Sequence, residues 1–167
     1  MDWKAGFAAP RTPSYGSSTG GSSYWGGSSG GSALSVEEAP GAVGEHLLLD
    51  LYGVAPALLR DAAALEKALR DAASALGATI LHAHLHRFDS VRAGLPAGEQ
   101  GGVTGVLLLA ESHLSIHTWP EHGFAAIDAF MCGTGTTHAA RTVFEQALAP
   151  QRVDVRVARR GAEPASN

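Results

Sequence analysis

A single cysteine, Cys132, occurs in 167 residues, so no disulfide can form within one chain and a reducing compartment is expected. Massed basic charge is also missing. The 12 Lys and Arg are scattered among 16 Asp and Glu, for a net charge of -4, which removes the electrostatic footprint of a nucleic-acid or anionic-membrane binder and favours a small or cationic substrate. Long apolar runs are absent as well: each is broken by His, Asp or Gly well short of a membrane span. The opening MDWKAGFAAP has no basic region leading into an apolar stretch. The expected location is therefore cytoplasmic, with no nucleic-acid or membrane partner.

What is present is unevenly distributed. The 21 glycines concentrate in SYGSSTGGSSYWGGSSGGS, residues 14 to 32, a composition that buries too little apolar surface to offset the entropy of ordering. Residues 1–43 are read as a flexible Gly/Ser-rich leader, with Tyr15, Tyr24 and Trp25 as alternative contact points for a partner. Residues 44–161 form one domain and 162–167 a short tail.

Within that domain, HLLLDLYG (46–53) suits a buried strand. Pro56 then opens an amphipathic helix, with Leu58, Leu59, Ala62, Leu65, Leu69, Ala72, Ala73 and Leu76 at helical spacing until Gly77 stops it. ATILHAHLHRF (78–88) alternates as a strand, and residues 89–102 have the Gly and Pro of an exposed loop. VTGVLLLA (103–110), LSIHTW (114–119) and FAAIDAFM (124–131) read as three strands with short connections. Residues 136–149 form a second helix and RVDVRVA (152–158) a last strand. The expected class is α+β: a two-layer α/β sandwich, mostly antiparallel, with two main helices on one face.

The chemistry concentrates in AESHLSIHTWPEHG, residues 110–123. His82, His84 and His86 alternate on one strand face and, with His113 or His117 from a neighbouring strand, could hold zinc; a half-buried, hydrogen-bonded histidine face is the plainer reading. A serine hydrolase is disfavoured, since Ser112 and His113 point to opposite faces and the G-x-S-x-G elbow is missing. Cys132 with His117 could act as a thiolate and base, although a lone cysteine in an apolar segment is ordinarily a small buried hydrophobe.

ESHLSIHTWPEHGFAAIDAFMCG resembles the signature of the prokaryotic S-adenosylmethionine decarboxylases, pyruvoyl-dependent enzymes made as self-cleaving proenzymes. GEHLLLDLYGV, ALGATIL, GVTG and the terminal ARRG fall where similar family segments lie, so the resemblance covers residues 44–161. It implies cleavage of the Glu111–Ser112 bond: the serine hydroxyl attacks the preceding carbonyl, an ester forms, and elimination with hydrolysis leaves a pyruvoyl group from Ser112. The products are a β chain ending at Glu111 and an α chain beginning at that pyruvoyl. By position, His117 is similar to the family's base in processing, and Thr104 takes the place of a processing serine. Cys132 stands at the proton donor of the decarboxylation, a role that a buried, protonated thiol would fill.

The same resemblance implies that the substrate amine forms a Schiff base with the pyruvoyl ketone, which accepts the electrons left by carbon dioxide. Phe88 and Trp119 are similar in position to aromatics that enclose the adenine, with packing at a strand end as the alternative for Trp119. Glu121 resembles the acid that binds the ribose hydroxyls. The family forms dimers of cleaved protomers, so a homodimer is expected, and no metal is called for. The chain departs from the pattern at Thr104, in the longer 89–102 loop, at Met131, and in TGTTHAAR after Cys-Gly. The expected function is pyruvoyl-dependent decarboxylation of S-adenosylmethionine to the aminopropyl donor for spermidine synthesis. A decarboxylase of arginine or ornithine, an uncleaved regulatory paralogue, and the zinc protein remain alternatives.

Overall fold

The short breaks between the apolar segments of residues 103–131 leave room only for hairpins, helices carry the chain across the sheet before and after them, and every strand pairing is antiparallel. A computed structural model describes residues 42–89, 101–133 and 137–161. The leader with Tyr15, Tyr24 and Trp25, most of the 89–102 loop and the residues after Gly161 lie outside the described residues. Strands β1 (Gly44–Tyr52), β2 (Ile80–Arg87), β3 (Val103–Leu109), β4 (Ser112–Trp119), β5 (Phe124–Cys132) and β6 (Arg152–Arg160) form one sheet in the order β2-β3-β4-β5-β1-β6.

Alternation decides the two faces. Leu47, Leu49 and Leu51 of β1, Leu107 and Leu109 of β3, Leu114 and Ile116 of β4, and Ala125, Ile127 and Ala129 of β5 are buried in one core. Each fully buried Leu or Ile contributes about 1.5–3 kcal/mol relative to exposure. Helices α2 (Ala62–Ala75) and α3 (His138–Leu148) cover that face, adding Leu65, Leu69, Ala72 and Ala73 from one and Ala140, Phe144 and Leu148 from the other. The opposite face carries His46, Asp50, Thr104, Val106, Leu108, His113, Ser115, His117, Trp119, Asp128 and Phe130, and no described helix lies over it.

The expected helix after Pro56 is in fact two. A five-residue α1 (Pro56–Arg60) ends at Asp61, whose carboxylate accepts from the N–H groups of Ala63 and Ala64 and starts α2. The apolar periodicity runs through this break unchanged, so spacing alone did not reveal it, whereas an aspartate with an N-cap bond costs less than an internal helical turn there. Gly77, with φ 69°, supplies the expected stop.

A close approach joins the start of β3 to the end of β4. A side chain on Gly102 would bring its Cβ within 1.9 Å of the Thr118 carbonyl oxygen, so only glycine fits. Across this approach the buried Thr118 hydroxyl accepts from Val103 N–H at 2.7 Å and donates to the Leu59 carbonyl at 2.8 Å. One side chain thus ties β3, β4 and α1 together next to His117.

Candidate active site

Only Ala110 and Glu111 separate β3 from β4, so the Glu111–Ser112 bond leaves a tight hairpin turn. That turn is held from two sides. Thr79 N–H donates to Glu111 Oε2 at 2.9 Å, and the Thr79 carbonyl accepts from Ala110 N–H at 2.9 Å. The Thr79 bond is the main reason the Glu111 carboxyl is lowered below its ordinary range, with partial desolvation opposing it. The Glu111 carbonyl oxygen, meanwhile, accepts from Cys132 N–H at 3.1 Å. Ser112 is half-buried and, by alternation, belongs with Leu114 and Met131 on the helix side.

Cys132 is exposed at the end of β5, which corrects the expectation of a buried thiol. Its alternation places it on the face over which no described helix lies. Beside it on that face, Phe130 packs against His46 and His113, with ring centroids 5.6 and 5.9 Å away. Asp128 lies deeper, accepting from Ser115 Oγ at 3.2 Å with His46 Nε2 at 3.5 Å.

Thr104 and His117 meet further along the sheet. They are directly opposed in the β3–β4 register, and Thr104 Oγ1 lies 2.8 Å from His117 Nδ1. The Thr hydroxyl therefore reaches its partner despite the β-branch. Next to them Trp119 stacks on Phe124 with centroids 5.2 Å apart, and Phe124 packs on Tyr52. Glu121 is exposed in the turn Pro120–His122 that follows. Phe88 stays in line with β2 despite the long loop, because its N–H donates to Gly102 O at 2.9 Å and its carbonyl accepts from Gly101 N–H.

The structure thus collects the expected site residues into two groups. Glu111, Ser112 and Cys132 stand at one end of the sheet; Thr104, His117, Trp119, Glu121 and Phe88 stand towards the other. His117 lies five steps along extended β4 from Ser112, about 16 Å, too far for proton transfer between them within one protomer. The zinc arrangement is not assembled either: β3 lies between β2 and β4, so His113 and His117 are not on a strand adjoining His82, His84 and His86. No group of three potential ligands comes together among the described residues.

Two contributors had no sequence signal, Thr79 at the end of the α2–β2 turn and Glu45 on β1. Glu45 Oε1 accepts from both the N–H and the hydroxyl of Thr137, 92 positions away. Their roles come from contacts that no local pattern encodes. Among the described residues no helix is long and apolar enough to cross a membrane.

Residues 45–161 match the model of the family described as S-adenosylmethionine decarboxylase. A protein named S-adenosylmethionine decarboxylase proenzyme from Parasynechococcus marenigrum is 45% identical over 117 residues, covering 70% of this chain and 79% of the relative. One of the same name from Methanococcus maripaludis strain C7 is 40% identical over 120 residues, 71% of this chain and 90% of its own. The crystal structure of the adenosylmethionine decarboxylase from Aquifex aeolicus superposes with a TM-score of 0.63 at 34% identity, covering 76% of this chain and 98% of that one.

Proposed function

This chain belongs to the S-adenosylmethionine decarboxylase family, and on that footing we propose that it cleaves itself at Glu111–Ser112 and then decarboxylates S-adenosylmethionine through a pyruvoyl group made from Ser112. The observation that carries the proposal is the scissile carbonyl bonded to Cys132 N–H at 3.1 Å, which joins the cleavage point to the proton donor. Attack of Ser112 Oγ on that carbonyl breaks the peptide C–N bond and forms an ester, with the negative charge developing on the oxygen that the amide already addresses. Loss of the serine α-proton to His117 expels the Glu111 carboxylate. The resulting dehydroalanine tautomerises to an imine, and water releases ammonia and leaves the pyruvoyl ketone.

The separation of the two residue groups bears directly on assembly. Two protomers facing each other across the helix-free side of the sheet, related by a two-fold axis, bring Thr104 and His117 of one to Ser112 and Cys132 of the other. Each site then draws on both chains, and the partner lies over the exposed Cys132. Val106 and Leu108, 41% and 51% exposed on that face, fit a surface buried in a homodimer of cleaved protomers.

Cleavage also changes what Ser112 can reach. While joined to Glu111, residue 112 is pinned towards the helix side; as a new terminus it can turn to the face on which Cys132 stands. There the pyruvoyl ketone and the substrate amine condense to a Schiff base, and carbon dioxide leaves as its bonding electrons enter the conjugated carbonyl system. Cys132 Sγ–H returns the proton to the substrate α-carbon. Phe88 and Trp119 offer flat faces to adenine and sulfonium, and Glu121 an acceptor for the ribose hydroxyls. The product is the aminopropyl donor for spermidine synthesis.

Intact-mass analysis of freshly purified protein, followed by a substrate panel, tests this reading. Two fragments divided between residues 111 and 112, the second blocked by a ketone, are expected, with carbon dioxide released from S-adenosylmethionine and not from arginine or ornithine. A persistent full-length mass, or release from a basic amino acid alone, would overturn it.

A further inference from the structure

We propose that Glu45 is a positioning residue for the decarboxylation, its carboxylate reaching from β1 to the start of α3 and so holding Cys132 where it protonates the substrate carbon. The inference rests on the reading of Cys132 as proton donor. Helix α3 begins without a cap of its own: the Thr137 side chain makes no capping bond and the first turn contains no acid. The missing acceptor and negative charge come from Glu45, whose Oε1 takes the Thr137 N–H at 2.8 Å and the Thr137 hydroxyl at 2.7 Å. Thr137 is 1% exposed, so its donors have no water to fall back on.

The other end of the same connection is tied to the residue just before the same strand. Gly133, at φ 82°, donates its N–H to the Val43 carbonyl at 2.9 Å, and Gly44 and Glu45 oppose Cys132 and Met131 in the β1–β5 register. Three consecutive residues, Val43 to Glu45, therefore anchor both ends of the link between β5 and α3. The Cys132 thiol is exposed, and among the described residues its backbone anchors are what set where Sγ points.

Position matters because the electron pair released with carbon dioxide is shared between two carbons. A proton delivered to the substrate α-carbon gives product. A proton delivered to the former ketone carbon gives an imine whose hydrolysis releases an aldehyde and leaves an α chain beginning in alanine, without its carbonyl and inactive. Loosening the Glu45 anchor should shift the balance towards the second outcome while leaving substrate binding largely alone.

The test compares wild type with Glu45→Ala, Glu45→Gln and Thr137→Val in the cleaved enzyme, measuring kcat, KM and the number of turnovers before the α chain becomes open to Edman degradation as alanine. Hydrogen exchange at Gly133 and Thr137 is measured in parallel on the uncleaved Ser112→Ala precursor with and without Glu45→Ala. Expected for Glu45→Ala are a kcat about tenfold lower, a KM within about twofold, about tenfold fewer turnovers before inactivation, and exchange at those amides about tenfold faster. Glu45→Gln, which keeps an acceptor, should recover part of each loss. Should Glu45→Ala not fold, Glu45→Gln and Thr137→Val report the same quantities at smaller amplitude. Unchanged exchange overturns the anchor, and faster exchange with unchanged kcat and alanine formation overturns its role in positioning. Absence of decarboxylation by wild type counts against the decarboxylase reading, while exchange in the precursor still decides the anchor.

Discussion

Cys132 donates its backbone N–H to the carbonyl oxygen of Glu111, so the residue proposed to return the proton is bonded through its main chain to the bond that must first be cut. On the proposed mechanism two functions meet in one residue, carried by different atoms: the amide would polarise the carbonyl for the acyl shift, and the thiol would serve only after the pyruvoyl exists.

Cys132→Ala should therefore separate the two activities. The amide remains, so the precursor should still cleave to completion, while decarboxylation falls by about 10²- to 10⁴-fold with loss of the general acid. Fragment formation on denaturing gels and carbon dioxide release read the two independently; loss of cleavage equal to the loss of turnover would refute the division of labour.

At the other end of the sheet, the 2.8 Å contact of Thr104 with His117 depends on a hydroxyl. Thr104→Val, similar in shape but without that oxygen, should slow fragment formation by about 10-fold or more, and Thr104→Ser should process at least as fast as wild type because it sheds the β-branch and keeps the bond. Time courses of cleavage in freshly made protein measure both; Val matching wild type would remove Thr104 from the process.

A site shared between protomers predicts complementation. Ser112→Ala chains cannot cleave, and His117→Ala chains should stall at the ester, which hydroxylamine splits. Refolded as a mixture, the two should form heterodimers in which the intact His117 of the Ser112→Ala chain completes cleavage of its partner. Mixed dimers that remain stalled would place His117 in the same chain as the serine it serves and contradict the two-fold arrangement.

The Glu111 carboxyl is held low chiefly by Thr79 N–H, and the sign of its pH effect follows. A carboxyl lowered on folding stabilises above its unfolded value, about 4.3 for Glu, and loses that contribution as pH falls through the folded value. In the Ser112→Ala background, Glu111→Gln should melt below its parent at pH 7, and the gap should close as pH drops beneath the ordinary carboxylate range. A gap of constant size across that range would show that charge on Glu111 plays no part.

Much of this was legible in residue order. Alternation in LSIHTW and FAAIDAFM defines which side chains of β4 and β5 face the helices, because a strand has no other way to bury half its residues. Glu111–Ser112, His117 and Cys132 stand out through their likeness to a known signature. The Asp61 break was not legible, since Leu58, Leu59 and Leu65 keep their period across it and only the cap bonds distinguish one helix from two. The exposure of Cys132 was hidden for a related reason: an apolar neighbourhood in sequence says nothing about whether a strand end is covered.

Residue order thus fixes the local choices: strand or helix, which face turns inward, and where the Glu-Ser pair stands, all governed by interactions within a few residues. The separation of Ser112 from His117 in one protomer, the hold of Thr79 and Cys132 on Glu111, and the bonds from Thr137 to Glu45, 92 positions away, come from the folded sheet. Those relationships depend on strand order and register, which arise when distant segments share one sheet and one core, and no local periodicity records them.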